Sequence, residues 1–376
     1  MTGIFTYRGN FSFSEIPRLE GKVALVTGGQ AGIGQEISTQ LLTHGISKLF
    51  ILARSQRKFN GALDVWRKRP DIKLLLETRR VRSGRDDAGE GGDTVPGASE
   101  IEFVQCDLGD MVAVRRGAET NELRKKSGLP TLPSYALSPQ GIEVLFATNC
   151  IGHFILTNLL LPLLKQTIAK HGASDARIIV TSSSLHSFCK ELNFDLLTSP
   201  TRTKSAWYDG IWRYGRSKAG NILFAKELSR RLIAESEEDV SSSSSSEISP
   251  GTRIDDVDDG RKASGKIYVN SFFPGNIATE QMDVWKQYFG TVVGWLVKKF
   301  FVLFGQSTRD GAATAMFLAT SPKVTRGEGI RGEYFIPVAK RDDVSALARD
   351  ERSARELWEW CDQKVSETLG AGWQDK

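Results

Sequence analysis

The stretch Val23-Ala-Leu-Val-Thr-Gly-Gly-Gln-Ala-Gly-Ile-Gly34 constrains this chain more than any other. A short run rich in Val and Leu suits a parallel strand buried on both faces, and the glycines after it let the backbone reverse tightly and approach a bulky anion. A helix from Gly34 to about His44 would then point unpaired N–H groups and the positive end of its dipole at that turn. The spacing Gly28, Gly32, Gly34 differs from the G-x-G-x-x-G fingerprint, but strand, turn and helix come in the order a pyrophosphate site requires, with Gln30 and Ile33 inside the turn. Three glycines among 36 also suit a plain tight turn, so the rest of the chain has to decide.

With 376 residues, 40% hydrophobic and 25% charged, the chain has the composition of a globular protein with a sizeable core, which excludes disordered and fibrous classes. The N-terminus has no charged start followed by a long apolar stretch, so a secretory signal is not expected and the expected location is cytoplasmic. Four widely spaced cysteines (Cys106, Cys150, Cys189, Cys361) and 4 His fit reduced thiols rather than a disulfide framework or a metal site. The net charge of +5 is mild, and the basic stretch Arg54 to Arg85 carries no aromatic-interleaved motif, so no nucleic-acid partner is expected.

Lys48 to Ala53 reads as a second buried strand ending at Arg54. An acidic residue at this place, about twenty positions past a glycine turn, would bind the ribose 2′-hydroxyl of NAD, whereas an arginine suits the 2′-phosphate of NADP. Arg54 favours NADP, with an ordinary surface arginine as the competing reading. A helix follows from about Ala62 to Arg79, and residues 80–99 read as a low-complexity insertion. Ile101 to Leu108 supplies a third strand, whose Asp107 and Leu108 would lie on the ligand-binding edge; Asp107 could equally cap the next helix.

Ser138 to Leu164 has apolar positions at helical spacing and is too long for a strand. Asn149 lies inside it and must find polar partners, as a site residue or as a satisfied structural amide. Arg177 to Ser184 reads as a strand running into a serine cluster. Tyr214 and Lys218 stand four apart on an amphipathic helix, so one face carries both. A free phenol titrates near about 10, and a neighbouring cation would lower that value toward neutral pH. Residues 235–265, with a serine run at Ser241 to Ser246, read as a surface loop. Lys266 to Phe273 resumes as a strand and ends in Pro274-Gly-Asn-Ile-Ala-Thr279. Residues 276–305 read as a substrate lid, and 288–305 offer a membrane-surface contact rather than a span because Lys298 and Lys299 interrupt them. A helix near Thr308 to Thr320, a strand near Glu333 to Ile336 and an amphipathic tail from Ser345 close the chain.

Taken in order, these residues resemble the short-chain dehydrogenase/reductase superfamily, particularly its retinol-dehydrogenase-like and fungal branches. The resemblance rests on Thr27 to Gly34, Cys106-Asp-Leu108, Asn149 before Ile-Gly-His-Phe, the strand ending in Ser183, Tyr214 with Lys218, and Pro274-Gly with Thr279. It implies a doubly wound parallel α/β sheet of Rossmann type in a single domain, an NADP cofactor, a small-molecule carbonyl or alcohol substrate, and a homodimer as one compatible assembly. It also implies a tetrad. Tyr214 would be the general acid, Ser183 would hydrogen-bond the carbonyl oxygen in preference to Ser182 or Ser184, and Lys218 would lower the tyrosine pKa and hold the nicotinamide ribose. Asn149 would keep a relay water. The turn residues Gly28, Gln30, Gly32, Ile33 and Gly34, with Arg54, Asp107 and Leu108, would hold the nucleotide. Pro274, Gly275, Ile277 and Thr279 would hold the carboxamide.

The chain departs from that pattern at one place. The family's central strand, ending in an Asn-Asn-Ala-Gly-like motif, should precede Ser138, but Ser127 to Leu137 has two prolines and no apolar run. Proline cannot donate to a ladder, so the central fourth strand is expected to be missing or replaced. Ile142 to Thr148 is a candidate substitute, although the long-helix reading suits it better.

Overall fold

The computed structural model describes residues 9–80, 99–119, 135–171, 175–199, 206–244, 266–277, 305–326 and 329–375. Strands β1 (Val23–Thr27), β2 (Lys48–Ala53) and β3 (Glu100–Gln105) form a parallel sheet with β2 in the middle, Val23 opposite Lys48 and Lys48 opposite Glu100. In a second sheet β4 (Asp175–Thr181), β5 (Lys266–Phe272) and β6 (Tyr334–Ile336) run parallel, and β7 (Lys340–Arg341) adds an antiparallel edge.

Helices cover both faces. They are α1 (Gly32–Thr43), α2 (Gln56–Lys68), α3 (Pro70–Arg80), α4 (Met111–Glu119), α5 (Gly152–His171), α6 (Ala206–Ser244), α7 (Thr308–Thr320), α8 (Ala346–Arg349) and α9 (Glu351–Leu369). Alternation along β2 shows how the layers arise. Leu49, Ile51 and Ala53 enter a core with Leu42 of α1, Met316 of α7 and Phe272 of β5, while Leu52 enters the opposite core with Phe154 of α5, Leu223 of α6 and Trp358 of α9. Side chains of a strand alternate between faces, so one strand feeds two cores. Each core draws residues from both sheets, and this holds the two sheets in one Rossmann-type α/β layer.

The expected helix from Ala62 to Arg79 is two helices. Arg69 is extended (φ −84°, ψ 120°) before Pro70, because the proline ring disfavours a helical residue ahead of it. Trp66 is fully buried and donates through Nε1 to Thr39 Oγ1 at 2.8 Å, which fixes α2 on α1. α3 is described as far as Arg80, and residues 81–98 of the expected insertion lie outside the described residues. The expected loop at 235–265 is corrected over its first part: α6 continues to Ser244, since extending a formed helix costs far less than nucleating one. Residues 245–265 lie outside the described residues, as do 278–304, most of the expected lid and all but Gly305 of the surface-contact stretch.

The long-helix reading of Ser138 to Leu164 holds from Val144 onward. Val144–Phe146 is helical, Ala147–Ile151 is π-helical, and α5 follows. Ile142 to Thr148 therefore supplies no substitute strand. Glu143 starts the helix by accepting from the Leu145 and Phe146 amides. Its carboxylate is buried against Arg213 of α6 at 3.0 Å, and Arg213 also pairs with Asp209 at 2.7 Å.

No strand among the described residues joins β1 to β4. Both line one cavity of about 2450 Å³ that runs between the sheets to their carboxyl edge. Val23 is 64% and Leu25 38% exposed, which is unusual for apolar residues on a parallel strand. Residues 120–134, where the family strand would begin, lie outside the described residues.

Candidate active site

Strands β1, β2, β4 and β5 deliver their carboxyl ends to the cavity. The turn after β1 starts with the Gly28 amide donating to the Leu52 carbonyl at 2.8 Å. Gly28 has φ +68°, and a Cβ there would project into open space. At Gly34 a Cβ would lie 2.4 Å from the Gly28 carbonyl oxygen, so only glycine lets the first turn of α1 sit against the loop. The N-cap Ala31 gives α1 no side-chain cap, and its first turn holds no acidic residue. Its terminal amides and dipole are thus available to an anion. Gln30 is buried with Oε1 lacking a partner among the described residues, an acceptor ready for a ligand hydroxyl. Arg54 lines the cavity from the end of β2, its carbonyl held at 2.7 Å by the Gln105 amide. This set of groups fits a dinucleotide.

The chemical groups converge from β4 and α6. Ser183 is extended after β4 and caps the short 3-10 helix Ser184–Phe188, accepting from the Leu185 amide at 3.2 Å. Its side chain stands beside the Tyr214 phenol, close enough to lower the phenol's pKa. The neighbouring serines are otherwise placed: Ser182 Oγ donates to the Lys218 carbonyl at 2.8 Å, and Ser184 is exposed. Lys218 Nζ donates to the Thr181 carbonyl at 3.1 Å and lies 5.5 Å from the centroid of the Tyr214 ring. Asn149 Nδ2 donates to Ser217 Oγ at 3.1 Å, and Ser217 Oγ donates in turn to the Tyr214 carbonyl at 2.8 Å. The π-helical turn brings Asn149 to α6.

Burial pushes the Tyr214 phenol up to about 12, with the Ser183 side chain pulling against it. The same burial brings the Lys218 ammonium down to about 8. The Lys218 ammonium donates to the Thr181 carbonyl beside the Tyr214 ring, and the direction of the phenol's shift is set by burial against the Ser183 side chain. Among the cavity residues missed in the sequence is His153 of α5. His153 Nε2 meets Thr27 Oγ1 at 3.2 Å, linking α5 to β1, and burial holds its pKa at about 4 with the Lys218 charge acting the same way. Its signal was available: His153 stands four residues after Asn149, on one helical face.

The cavity gathers Gly28, Gln30, Gly32, Ile33, Gly34 and Arg54 from the first half of the chain. From the second it gathers Asn149, Ser183, Tyr214 and Lys218, with Pro274, Gly275 and Ile277. Asp107 and Leu108 do not line it. Leu108 is 1% exposed in the core, and Asp107 Oδ1 accepts from the Gly109 amide at 2.9 Å in a turn ahead of α4, whose first turn is capped instead by Asp110, accepting from the Val112 amide at 3.1 Å. Thr279 lies outside the described residues.

A Rossmann-type sheet with Ser, Tyr and Lys at the nucleotide-binding edge defines an oxidoreductase class. No family model matches the chain. A short-chain dehydrogenase/reductase of Armillaria gallica is 32% identical over 366 residues, covering 95% of this chain and 94% of that one. Retinol dehydrogenase 14 of Homo sapiens is 29% identical over 353 residues, covering 91% of this chain and 85% of its own. A crystal structure of a protein from Mycobacterium Paratuberculosis shares the fold, with a TM-score of 0.59 at 21% identity over 95% of this chain and 98% of that one. The chain belongs to the short-chain dehydrogenase/reductase family of oxidoreductases.

Proposed function

We propose that the chain interconverts a carbonyl and an alcohol on an apolar small molecule, with NADP(H) as cofactor. The observation that carries this reading is the convergence of Ser183, Tyr214 and Lys218 in the same cavity as the glycine turn. The nicotinamide, when bound, supplies or accepts the hydride. Tyr214 is protonated at neutral pH because its pKa lies near 12, so in the reductive direction it delivers the proton to the carbonyl oxygen. Ser183 donates a second hydrogen bond to that oxygen as charge develops on it. Lys218 holds the ribose hydroxyls, and Asn149 holds a water that returns the proton to Tyr214. Arg54 holds the 2′-phosphate, the turn from Gly28 to Gly34 the pyrophosphate, and the backbone at Pro274 to Ile277 with Thr279 the carboxamide. The whole chain serves as one catalytic unit, with 276–305 contributing to substrate selection. A cytoplasmic setting, a homodimer and contact of 288–305 with a membrane surface belong to the same reading. The test is NADPH oxidation across a panel of apolar aldehydes and ketones, with Ser183→Ala and Tyr214→Phe as controls. No turnover of any member by the unmodified chain would overturn it.

The cavity between β1 and β4 favours a second reading. If the family's central strand is missing, the wall it would give the adenosine pocket is missing too, and the chain is a nucleotide-binding relative with impaired turnover that acts as a scaffold or regulator. Exposed Val23 and Leu25 support it. NADPH binding without turnover is its signature.

A further inference from the structure

His186 lies outside the tetrad, yet two hydrogen bonds fix its state. Nδ1 stands 2.7 Å from the Ser183 carbonyl oxygen, which can only accept, so Nδ1 carries the proton. Nε2 stands 3.2 Å from the Ser345 backbone nitrogen, which can only donate, so Nε2 carries the lone pair. The ring is 5% exposed and meets Tyr334 edge-on at 5.2 Å. Each contact leads to the site. Ser183 stands with its hydroxyl beside Tyr214, and because that oxygen already accepts from the Leu185 amide, its own proton is free to be aimed. Ser345 caps α8, whose Ala348 packs with Tyr334 and with Ile222 of α6, one turn beyond Lys218. The imidazole thus clamps the segment bearing Ser183 to a buttress on the helix bearing Tyr214.

We propose that His186, as a neutral imidazole protonated on Nδ1, is a positioning residue that holds the Ser183 hydroxyl in line with Tyr214. The role assigned to Ser183 rests on the reductase reading above, whereas the clamp itself is a property of the fold. Protonating the ring puts an N–H on Nε2 against the Ser345 N–H, two donors face to face, and that arm of the clamp opens. The groups facing the ring set when this happens. Burial lowers the His186 pKa, while the Ser183 carbonyl and the Asp342 carboxylate raise it. Asp343 is directed to Arg349 at 3.7 Å, and burial keeps the Tyr334 phenol protonated. The alignment of Ser183 is therefore sensitive to acid, below the ordinary histidine range.

The experiment uses the full chain labelled with [15N]histidine and [13Cζ]tyrosine; with 4 His, the His186 signals are assigned by loss in His186→Asn, and the Tyr214 signal by loss in Tyr214→Phe. At pH 7.5 His186 should show the proton on Nδ1 and a bare Nε2. On acidification the Tyr214 signal should shift with the His186 titration in the unmodified chain. It should not do so in His186→Asn, which keeps a donor for the Ser183 carbonyl and cannot titrate. In turnover, His186→Asn, which keeps the Ser183 arm but offers no acceptor to the Ser345 amide, should run at every pH near the parent's acid-limb kcat, with no acid-side fall. His186→Gln, which reaches Ser345 instead, should lose about tenfold or more in kcat at unchanged KM for NADPH. A proton on Nε2, or a Tyr214 signal blind to the His186 titration, overturns the inference. Absence of turnover in the parent overturns the reductase reading and leaves the two spectroscopic readouts to decide the clamp.

Discussion

The Lys218 ammonium donates to the Thr181 carbonyl at 3.1 Å, and the Asn221 amide donates to the same oxygen at 2.9 Å. The last carbonyl of β4 therefore anchors the lysine, whose ammonium lies 5.5 Å from the centroid of the Tyr214 ring. A ligand that offers hydroxyl groups is what would give the ammonium a better partner.

Holding that charge is costly. The Lys218 pKa is about 8 against 10.5 for an exposed lysine, so the unfolded chain binds the proton more tightly and folding stability rises as pH climbs from 8 to 10.5. Below 8 the full cost is present. Lys218→Met should raise the melting temperature at pH 7, by an amount equivalent to about 1–3 kcal/mol, while abolishing turnover. Thermal scans of both proteins at pH 7 and pH 10 check it; an unchanged or lower melting temperature at pH 7 counts against the buried charge.

His153 acts at the acid end. It is neutral in the fold down to about 4, whereas the unfolded chain takes up the proton near 6.5. Its contribution is complete above 6.5 and is lost as pH falls from 6.5 to 4, because the unfolded state then binds more protons. Urea midpoints should fall between pH 7 and pH 5, and His153→Gln, which keeps a polar partner near Thr27, should flatten that fall. Parallel pH profiles for the two proteins would exclude His153 as the source.

Arg54 should set cofactor preference. A guanidinium makes charge-assisted, bidentate bonds to a 2′-phosphate that NAD does not carry. NADPH should bind at least tenfold more tightly than NADH, and Arg54→Ala should remove most of the difference. Equal dissociation constants in the unmodified chain would refute the assignment.

Tyr214→Phe should abolish turnover and leave NADPH affinity within about threefold, since the phenol serves proton transfer more than binding. Its packing neighbours are unchanged by loss of one oxygen, so the melting temperature provides the control. Residual turnover comparable with the parent would assign the acid elsewhere.

Inserting a strand ending in Asn-Ala-Gly between Pro130 and Ser138 should fill the space between β1 and β4, raise the melting temperature and increase turnover by tenfold or more. Catalysis needs reacting atoms about 3 to 3.5 Å apart, and a misplacement of about 1 Å can cost roughly 100-fold, so turnover depends on an intact sheet more than the fold does. High turnover in the unmodified chain would show that its existing segments already align the site.

The sequence by itself determined what depends on short-range order. Strand, glycine turn and helix from Val23 onward, the long helix around Asn149, and the shared face of Tyr214 and Lys218 follow from periods of two and 3.6 residues and from the backbone freedom of glycine. Tertiary structure decided what depends on distances between elements. It turned the Ser182 hydroxyl to the Lys218 carbonyl, sent the Lys218 ammonium to Thr181, left Asp107 in a local turn ahead of α4, and brought His153 to Thr27. It also carried α6 through the start of the serine-rich stretch and, among the described residues, left β1 and β4 unpaired with each other and joined by the helices on both faces. Periodicity tells which side of an element is apolar; which polar atom then meets which partner is set by how whole elements pack, where a shift of an ångström makes or breaks a hydrogen bond.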